Sequence, residues 1–253
     1  MNKDEVIYGK NPIEALLETN PKKINKIFLA KGIKFDQKIK KIIDLAKSNK
    51  IIIQEVPRER LDIIAQGVHQ GIAASVSPIE YMEFSDFQQI LKNKSDLSLV
   101  IILDEVEDPY NLGSIIRTAN AAGADGVIIP KRRSSPVTST VEKASAGSVE
   151  KIPIIQVTNL TNVIEKLKKN NFWIIGAEST GNQYYFGADY NINCALVLGG
   201  EHQGISALVK KHCDMLVKIP MSENVNSLNV ANAASIIIYE VVRQRILKKN
   251  NLI

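Results

Sequence analysis

The chain has 253 residues, 45% of them hydrophobic and 23% charged, with 32 Lys and Arg against 27 Asp and Glu. This is ordinary globular usage, which excludes a disordered or fibrous chain and leaves room for one large or two smaller domains. No apolar run reaches the roughly 18 residues that span a bilayer, MNKDEVIYGK lacks a signal-type apolar stretch, and two Cys make no disulfide framework, so a reducing, cytoplasmic setting is expected.

The first third reads as a small α/β unit. Asn11-Pro12 opens a helix through Leu17, with Pro at a tolerated early position. Ile24 to Ala30 is a strand, Phe35 to Ala46 a helix with Ile39, Ile42 and Ile43 at helical spacing, and Ile51 to Ile53 a short strand. A short helix at 58–65 and a strand at 71–76 complete an αβαβαβ order. Residues 1–76 hold 14 Lys and Arg against 9 Asp and Glu, whereas 77–253 hold 18 of each sign. All the net charge of +5 therefore lies in the first third, which suggests a polyanion-binding unit beside a neutral body. A merely solvated Lys-rich surface explains the same count.

Residues 77–96 read as a linker, with Ser77-Pro78 stopping the strand and a short helix at 84–91. From residue 97 the pattern changes. Leu99 to Leu103 is continuously apolar, as in a strand buried on both faces. Further strands are expected at 126–129, 152–155, 172–177, 195–198 and 216–219, separated by helices at 112–122, 139–146, 160–169, 206–211 and 230–248. That alternation predicts a mostly parallel, helix-covered sheet over 97–253. No G-x-G-x-x-G, Walker-type or G-x-S-x-G motif occurs.

Three loops of this second part are dense in polar residues. Asp104 to Ala119 follows the first strand, at the end where open α/β sheets bind ligands. Here Asn111 is the expected helix N-cap. Arg117, between Ile116 and Thr118, needs an anionic partner, either a ligand or one of the nearby acids. Leu198-Gly199-Gly200-Glu201-His202-Gln203-Gly204 puts glycines where a ligand can approach the backbone. Ile219 to Ser235 carries Ser227 and Asn229 as helix caps, with more Asn and Ser than one cap requires.

Together the segments D-P-Y-N-L-G-S-I-I-R-T-A (108–119), L-G-G-E-H-Q-G (198–204) and I-P-M-(x)5-S-L-N-V-A (219–231) resemble, in order and spacing, the three motifs of SpoU-type RNA ribose 2′-O-methyltransferases of the knotted SPOUT superfamily. Y-G-K-N-P-I-E-A-L (8–16) and V-H-Q-G-I-A-A (68–74) are similar to the L30e-like RNA-binding domain of the branch that modifies 23S rRNA, the RlmB-type guanosine 2′-O-methyltransferases. The resemblance implies an N-terminal L30e-like α/β domain and a C-terminal trefoil-knotted domain, a chain topology that periodicity does not show. It implies S-adenosylmethionine as cofactor, RNA as partner and a homodimer, with no role for membrane or DNA. It places the cofactor at Ala177, Gly199, Ile219 and Leu228 and the catalytic set at Arg117, Asn111, Glu201, Ser227 and Asn229. Glu201 would reach Arg117 or Asn111 across the dimer.

Lys10, His69, Gln70 and Arg132 are the expected RNA contacts. For His69 a capping or core role is the alternative. A guanidinium is effectively always charged, so Arg117 is expected to orient the ribose hydroxyl or a phosphate, with a role as base the second choice. No metal is expected, because Cys194, His202, His212 and Cys213 lack paired ligand spacing. A tRNA guanosine methyltransferase and a non-catalytic RNA-binding assembly factor are the alternative functions.

Overall fold

The computed structural model describes residues 6–65, 67–201, 203–223 and 227–250. The chain forms two compact units: one runs through Glu80 and takes in Pro136–Thr140, and the other comprises Tyr81–Ser135 and the chain from Val141 onward.

In the first unit, β1 (Val6–Tyr8), β2 (Ile24–Ala30), β3 (Ile52–Val56) and β4 (Ile72–Val76) form a sheet in the order β1-β4-β2-β3. Only β2 and β3 run parallel. Strand side chains alternate between faces, so β2 feeds two cores. Ile27 and Leu29 meet Ile13 and Leu17 of α1 (Lys10–Thr19) and Ile39 and Ile42 of α2 (Gln37–Ser48). Phe28 and Ala30 meet Leu61 and Ala65 of α3 (Arg58–Ala65). Asp36 starts α2: its Oδ1 accepts from the Ile39 N–H at 2.9 Å. β1 has no counterpart among the expected strands, since three residues are too few to show a period.

The stretch 77–96 is not an open connector. Within it, α4 (Phe84–Lys92) buries Phe87 and Leu91 in the core of the second unit. Its polar end at 93–96 imitates a linker in composition, while Phe87 and Leu91, four apart, form a helix face.

The second unit is a seven-stranded, wholly parallel sheet in the order β7-β6-β5-β10-β8-β11-β9. Its strands are β5 (Leu99–Asp104), β6 (Gly126–Pro130), β7 (Ile154–Val157), β8 (Trp173–Ala177), β9 (Gln183–Tyr184), β10 (Cys194–Gly199) and β11 (Met215–Lys218). All six residues of β5 are buried, as its apolar run requires of a central parallel strand. Val100 and Ile102 share a core with α4, with α7 (Leu160–Lys168) and with Val209 of α8 (Ala207–Lys211). α5 (Pro109–Ala121) and α9 (Val230–Lys249) pack on each other, on β6 and on β10, and α6 (Ser139–Ala144) is a short further helix. Arg245 fastens α9 by donating to the carbonyls of Leu97, Ser98 and Ile192 at 2.9–3.0 Å. No helix among the described residues is long and apolar enough to cross a membrane.

Both cysteines are free. Burial pushes the thiols of Cys194 and Cys213 up to about 11. Only the thiolate reacts, so an aromatic disulfide reagent at pH 8 should modify both thiols in denaturant and neither at a comparable rate in the folded protein. Rapid labelling of folded protein would contradict this.

Candidate functional site

The carboxyl ends of β8, β10 and β11 surround a pocket of about 560 Å³, all within the second unit. Ala177 ends β8, Gly199 ends β10 and Ile219 follows β11; these three and Leu228 line the pocket, as do Glu201, Ser227 and Asn229. The sequence-predicted cofactor residues are thus brought together. A pocket at the carboxyl ends of parallel strands is where this class of sheet accepts ligands, and its size suits a nucleoside-bearing molecule.

The glycines of the second motif shape one wall. The Gly204 N–H donates to the Gly200 carbonyl at 3.0 Å, folding the loop back on itself. A Cβ on Gly199 would overlap the Gly204 carbonyl carbon, and one on Gly200 the Glu105 carbonyl oxygen. Close backbone approach, not a positive φ, therefore demands glycine at both positions. The buried Asp104 pins the loop: its Oδ2 accepts from the Ser206 N–H, and its carbonyl from the Gly200 N–H, both at 2.8 Å.

Side chains link the three motifs. The Asn111 amide donates to Glu201 Oε1, and the Asn229 amide donates to Asn111 Oδ1 at 2.9 Å. Asn229 Oδ1 accepts from the Ala231 N–H at 2.9 Å and so caps α9. Glu201 thus meets Asn111 within one chain. Asn111 is not the cap of α5; Asp108 is, its Oδ1 accepting from the Asn111 N–H at 2.8 Å. With the cap supplied three residues earlier, the Asn111 side chain is free to join the network. Asn229→Ala removes a cap and a link together, and about 1–2 kcal/mol of stability should go with them. Denaturant unfolding checks this; a change within the roughly 0.5 kcal/mol scatter of surface substitutions contradicts it.

Arg117 is exposed on α5, with no hydrogen bond or ion pair to a described residue, and it is not among the residues that line the pocket. The salt-bridge reading of Arg117 therefore finds no partner among the described residues.

The expected RNA contacts divide. His69 is buried at 5% exposure and both ring nitrogens are used: Nε2 pairs with Asp62 Oδ1 at 2.8 Å and Nδ1 accepts from the Gly71 N–H at 3.0 Å. It closes the turn before β4, which is the capping or core role that stood as the alternative to an RNA contact. The Lys10 ammonium pairs with Asp36 at 2.5 Å and holds that carboxyl below its ordinary range. Gln70 Oε1 accepts from the Lys10 N–H at 3.2 Å. Arg132 is exposed with no bond to a described residue, while its neighbour Arg133 pairs with Glu105 at 3.1 Å. His212 pairs with Glu165, and His202 lies outside the described residues. Sequence reasoning missed Glu178, which lines the pocket directly after β8; an acid just beyond a buried parallel strand was the available signal.

Comparisons with known proteins point one way. Residues 98–239 match the profile of the SpoU rRNA Methylase family, and residues 6–82 that of the RNA 2′-O ribose methyltransferase substrate-binding domain. A TrmH family tRNA/rRNA methyltransferase sequence from Staphylococcus aureus (strain MSSA476) is 49% identical over 96% of this chain and 97% of its own length. Its counterpart from Staphylococcus haemolyticus is 48% identical over 96% of each. Among solved structures, the SpoU methyltransferase AviRb from Streptomyces viridochromogenes, in complex with AdoMet, superposes with a TM-score of 0.59 at 25% identity, covering 95% of this chain and 90% of that one. The TrmH/SpoU tRNA modifying enzyme of A. aeolicus gives 0.56 at 28% identity, covering 66% of this chain and 84% of its own.

Proposed function

The chain belongs to the SpoU rRNA Methylase family, and from that membership we propose that it methylates the ribose 2′-hydroxyl of a guanosine in 23S rRNA. At the coarser level it is an RNA methyltransferase that uses S-adenosylmethionine. The observation that carries the finer reading is the pairing of two units: a substrate-binding one holding all the net charge, and a parallel-sheet one with the three linked motifs at its pocket. The neighbour named as a tRNA modifying enzyme covers only 66% of this chain, against 95% for AviRb.

The residues present fit the cofactor. Gly199 and Gly200 leave a wall without side chains, against which backbone groups can read a nucleoside, and Ala177, Ile219 and Leu228 supply apolar surface. When bound, S-adenosylmethionine supplies an activated methyl on a sulfonium whose departing thioether is neutral. Ala177, Gly199, Ile219 and Leu228 would hold the cofactor so that its methyl could pass to the 2′-oxygen, the carbon–sulfur electron pair staying on sulfur and the hydroxyl proton leaving to solvent.

The chain's own task is alignment and help with that proton. Arg117, uncommitted among the described residues, orients the hydroxyl or the adjacent phosphate and favours the oxyanion form by its charge. Asn111, Glu201 and Asn229 act as positioning residues, locking the first motif to the second and third. Ser227, on the pocket wall, faces the reacting ribose. Arg117 stands outside the pocket's described lining, which supports a homodimer in which a second copy completes each site; a trefoil knot of the sheet's loops belongs to the same reading. The basic first unit and exposed Arg132 hold RNA, the protein acting in the cytoplasm.

Equal amounts of unmodified 23S rRNA and bulk tRNA, offered together with methyl-labelled S-adenosylmethionine, test the reading. Label should enter one 2′-O-methylguanosine of the rRNA. Label in tRNA alone would make the protein a tRNA methyltransferase, and none in either would favour an assembly factor.

A further inference from the structure

The pocket contains a carboxylate that the three motifs do not use. Glu178 directly follows β8, at the carboxyl end of a parallel strand, and lines the pocket with only 11% of its side chain exposed. Two features hold it there. Its Oε2 pairs with the Lys210 ammonium at 2.7 Å, from α8. Its carboxylate also lies against Gly204: a Cβ at that glycine would sit 3.2–3.3 Å from both oxygens, tighter than ordinary contact. A methyl group there would press on the acid, so the second-motif loop leaves room for the carboxylate as well as for its own backbone. The Glu178 N–H is itself tied to the Val217 carbonyl at 2.9 Å, fixing the backbone from which the side chain projects.

Burying a carboxylate at a pocket wall is costly unless it has partners. Lys210 supplies a counter-charge, but the buried Oε2 takes no hydrogen bond from it, so the carboxylate keeps acceptor capacity; an ionised carboxylate has about four lone-pair sites. The pocket's described lining contains no Lys or Arg that could use it. A nucleoside offers the matching group: a vicinal diol whose two hydroxyls donate to one carboxylate. In dinucleotide-binding parallel sheets an acid accepts from a ribose hydroxyl of the ligand, the same chemistry on a different fold. Glu178 is next in sequence to Ala177, and both line the pocket.

We propose that Glu178, braced by Lys210, is the acceptor for the ribose hydroxyls of the cofactor's adenosine and so selects a ribonucleoside ligand. This rests on the assignment of the pocket to S-adenosylmethionine. The acid touches the part of the ligand shared by cofactor and product, so its contribution is the same for both and independent of the sulfonium charge.

Titration calorimetry on the full chain tests it, with S-adenosylhomocysteine, its 2′-deoxy and 3′-deoxy analogues, and S-adenosylmethionine as probes. In the wild type at least one deoxy analogue should bind roughly 10- to 100-fold more weakly than S-adenosylhomocysteine, the weight of a hydrogen bond to a charged group. Glu178→Gln should weaken S-adenosylmethionine and S-adenosylhomocysteine to a similar degree and shrink the deoxy penalty. The wild-type comparison does not depend on a variant folding. Deoxy analogues that bind like the parent overturn the proposal and leave the methyltransferase assignment standing. A folded Glu178→Gln protein that loses affinity only for the cationic S-adenosylmethionine overturns it too, by making Glu178 a charge sensor. Failure of the wild type to bind either parent ligand overturns the pocket assignment and the proposal together.

Discussion

Arg117→Ala should reduce methyl transfer by roughly 10²- to 10³-fold, the cost of removing a group that stabilises developing negative charge on oxygen, and leave affinity for S-adenosylmethionine nearly unchanged. Arg117 is exposed and unbonded among the described residues, so its loss breaks no hydrogen bond or ion pair to them. It does not line the pocket, so it gives the cofactor nothing directly. The role proposed for it is toward the RNA and the reacting hydroxyl. Arg117→Lys keeps the charge but loses the planar fork and should restore only part of the rate, because a guanidinium and an ammonium are not interchangeable in bidentate recognition. The readout is single-turnover transfer beside calorimetric cofactor binding. Unchanged transfer, or a parallel loss of cofactor affinity, contradicts the assigned role.

Gly199→Ala should nearly abolish cofactor binding and cost more than about 3 kcal/mol of stability if the sheet keeps its register. That is the scale of overpacking where neither side can yield. The added methyl overlaps the Gly204 carbonyl carbon and the Ile205 nitrogen, which are backbone and cannot rotate aside. Asp104 holds the loop from the other side through the Ser206 and Gly200 N–H groups, so relief means breaking buried hydrogen bonds. Gly147 is an internal control: a Cβ there meets nothing within 4 Å, so Gly147→Ala pays only for its positive φ of 75°. Denaturant unfolding and cofactor calorimetry on the two variants should separate them widely. Similar behaviour would show that the loop yields where the geometry says it cannot.

Much of this arrangement is legible in the residues, for physical reasons that differ by element. The buried run 99–103 announces a central parallel strand because a strand covered on both faces has no polar side to show. The pocket residues Ala177, Gly199, Ile219 and Leu228 came from motif resemblance; no periodicity could have found them, because a loop that reads a ligand with its backbone leaves little side-chain trace. β1 and β9 escaped notice because three and two residues carry no period. Asn111 and Asp108 are both good caps, and sequence alone does not say which carboxyl or amide turns to the backbone. His69 is a similar case: its V-H-Q-G setting suggests an RNA contact, while the Asp62 that pairs with its Nε2 lies seven residues away, beyond the reach of a local motif. Glu178 was visible as an acid after a strand, yet only the folded chain sets it against Gly204 and Lys210.

The charge split takes on a sharper meaning from the structure. Lys10, Lys38 and Lys41 form ion pairs with Asp36, Glu14 and Glu18. These pairs use acids as well as bases, so the excess of +5 over residues 1–76 stays with the remaining Lys and Arg. Recognition through the remaining Lys and Arg is correspondingly salt-dependent.

The central claim is that this protein methylates a guanosine ribose of 23S rRNA, and mapping 2′-O-methylation across all rRNA and tRNA of cells with and without it tests that claim most directly. The account predicts one 2′-O-methylguanosine of 23S rRNA that disappears with the protein, returns with the wild type and does not return with Arg117→Ala. An intact 23S methylation pattern, or a lost methyl confined to tRNA, contradicts it.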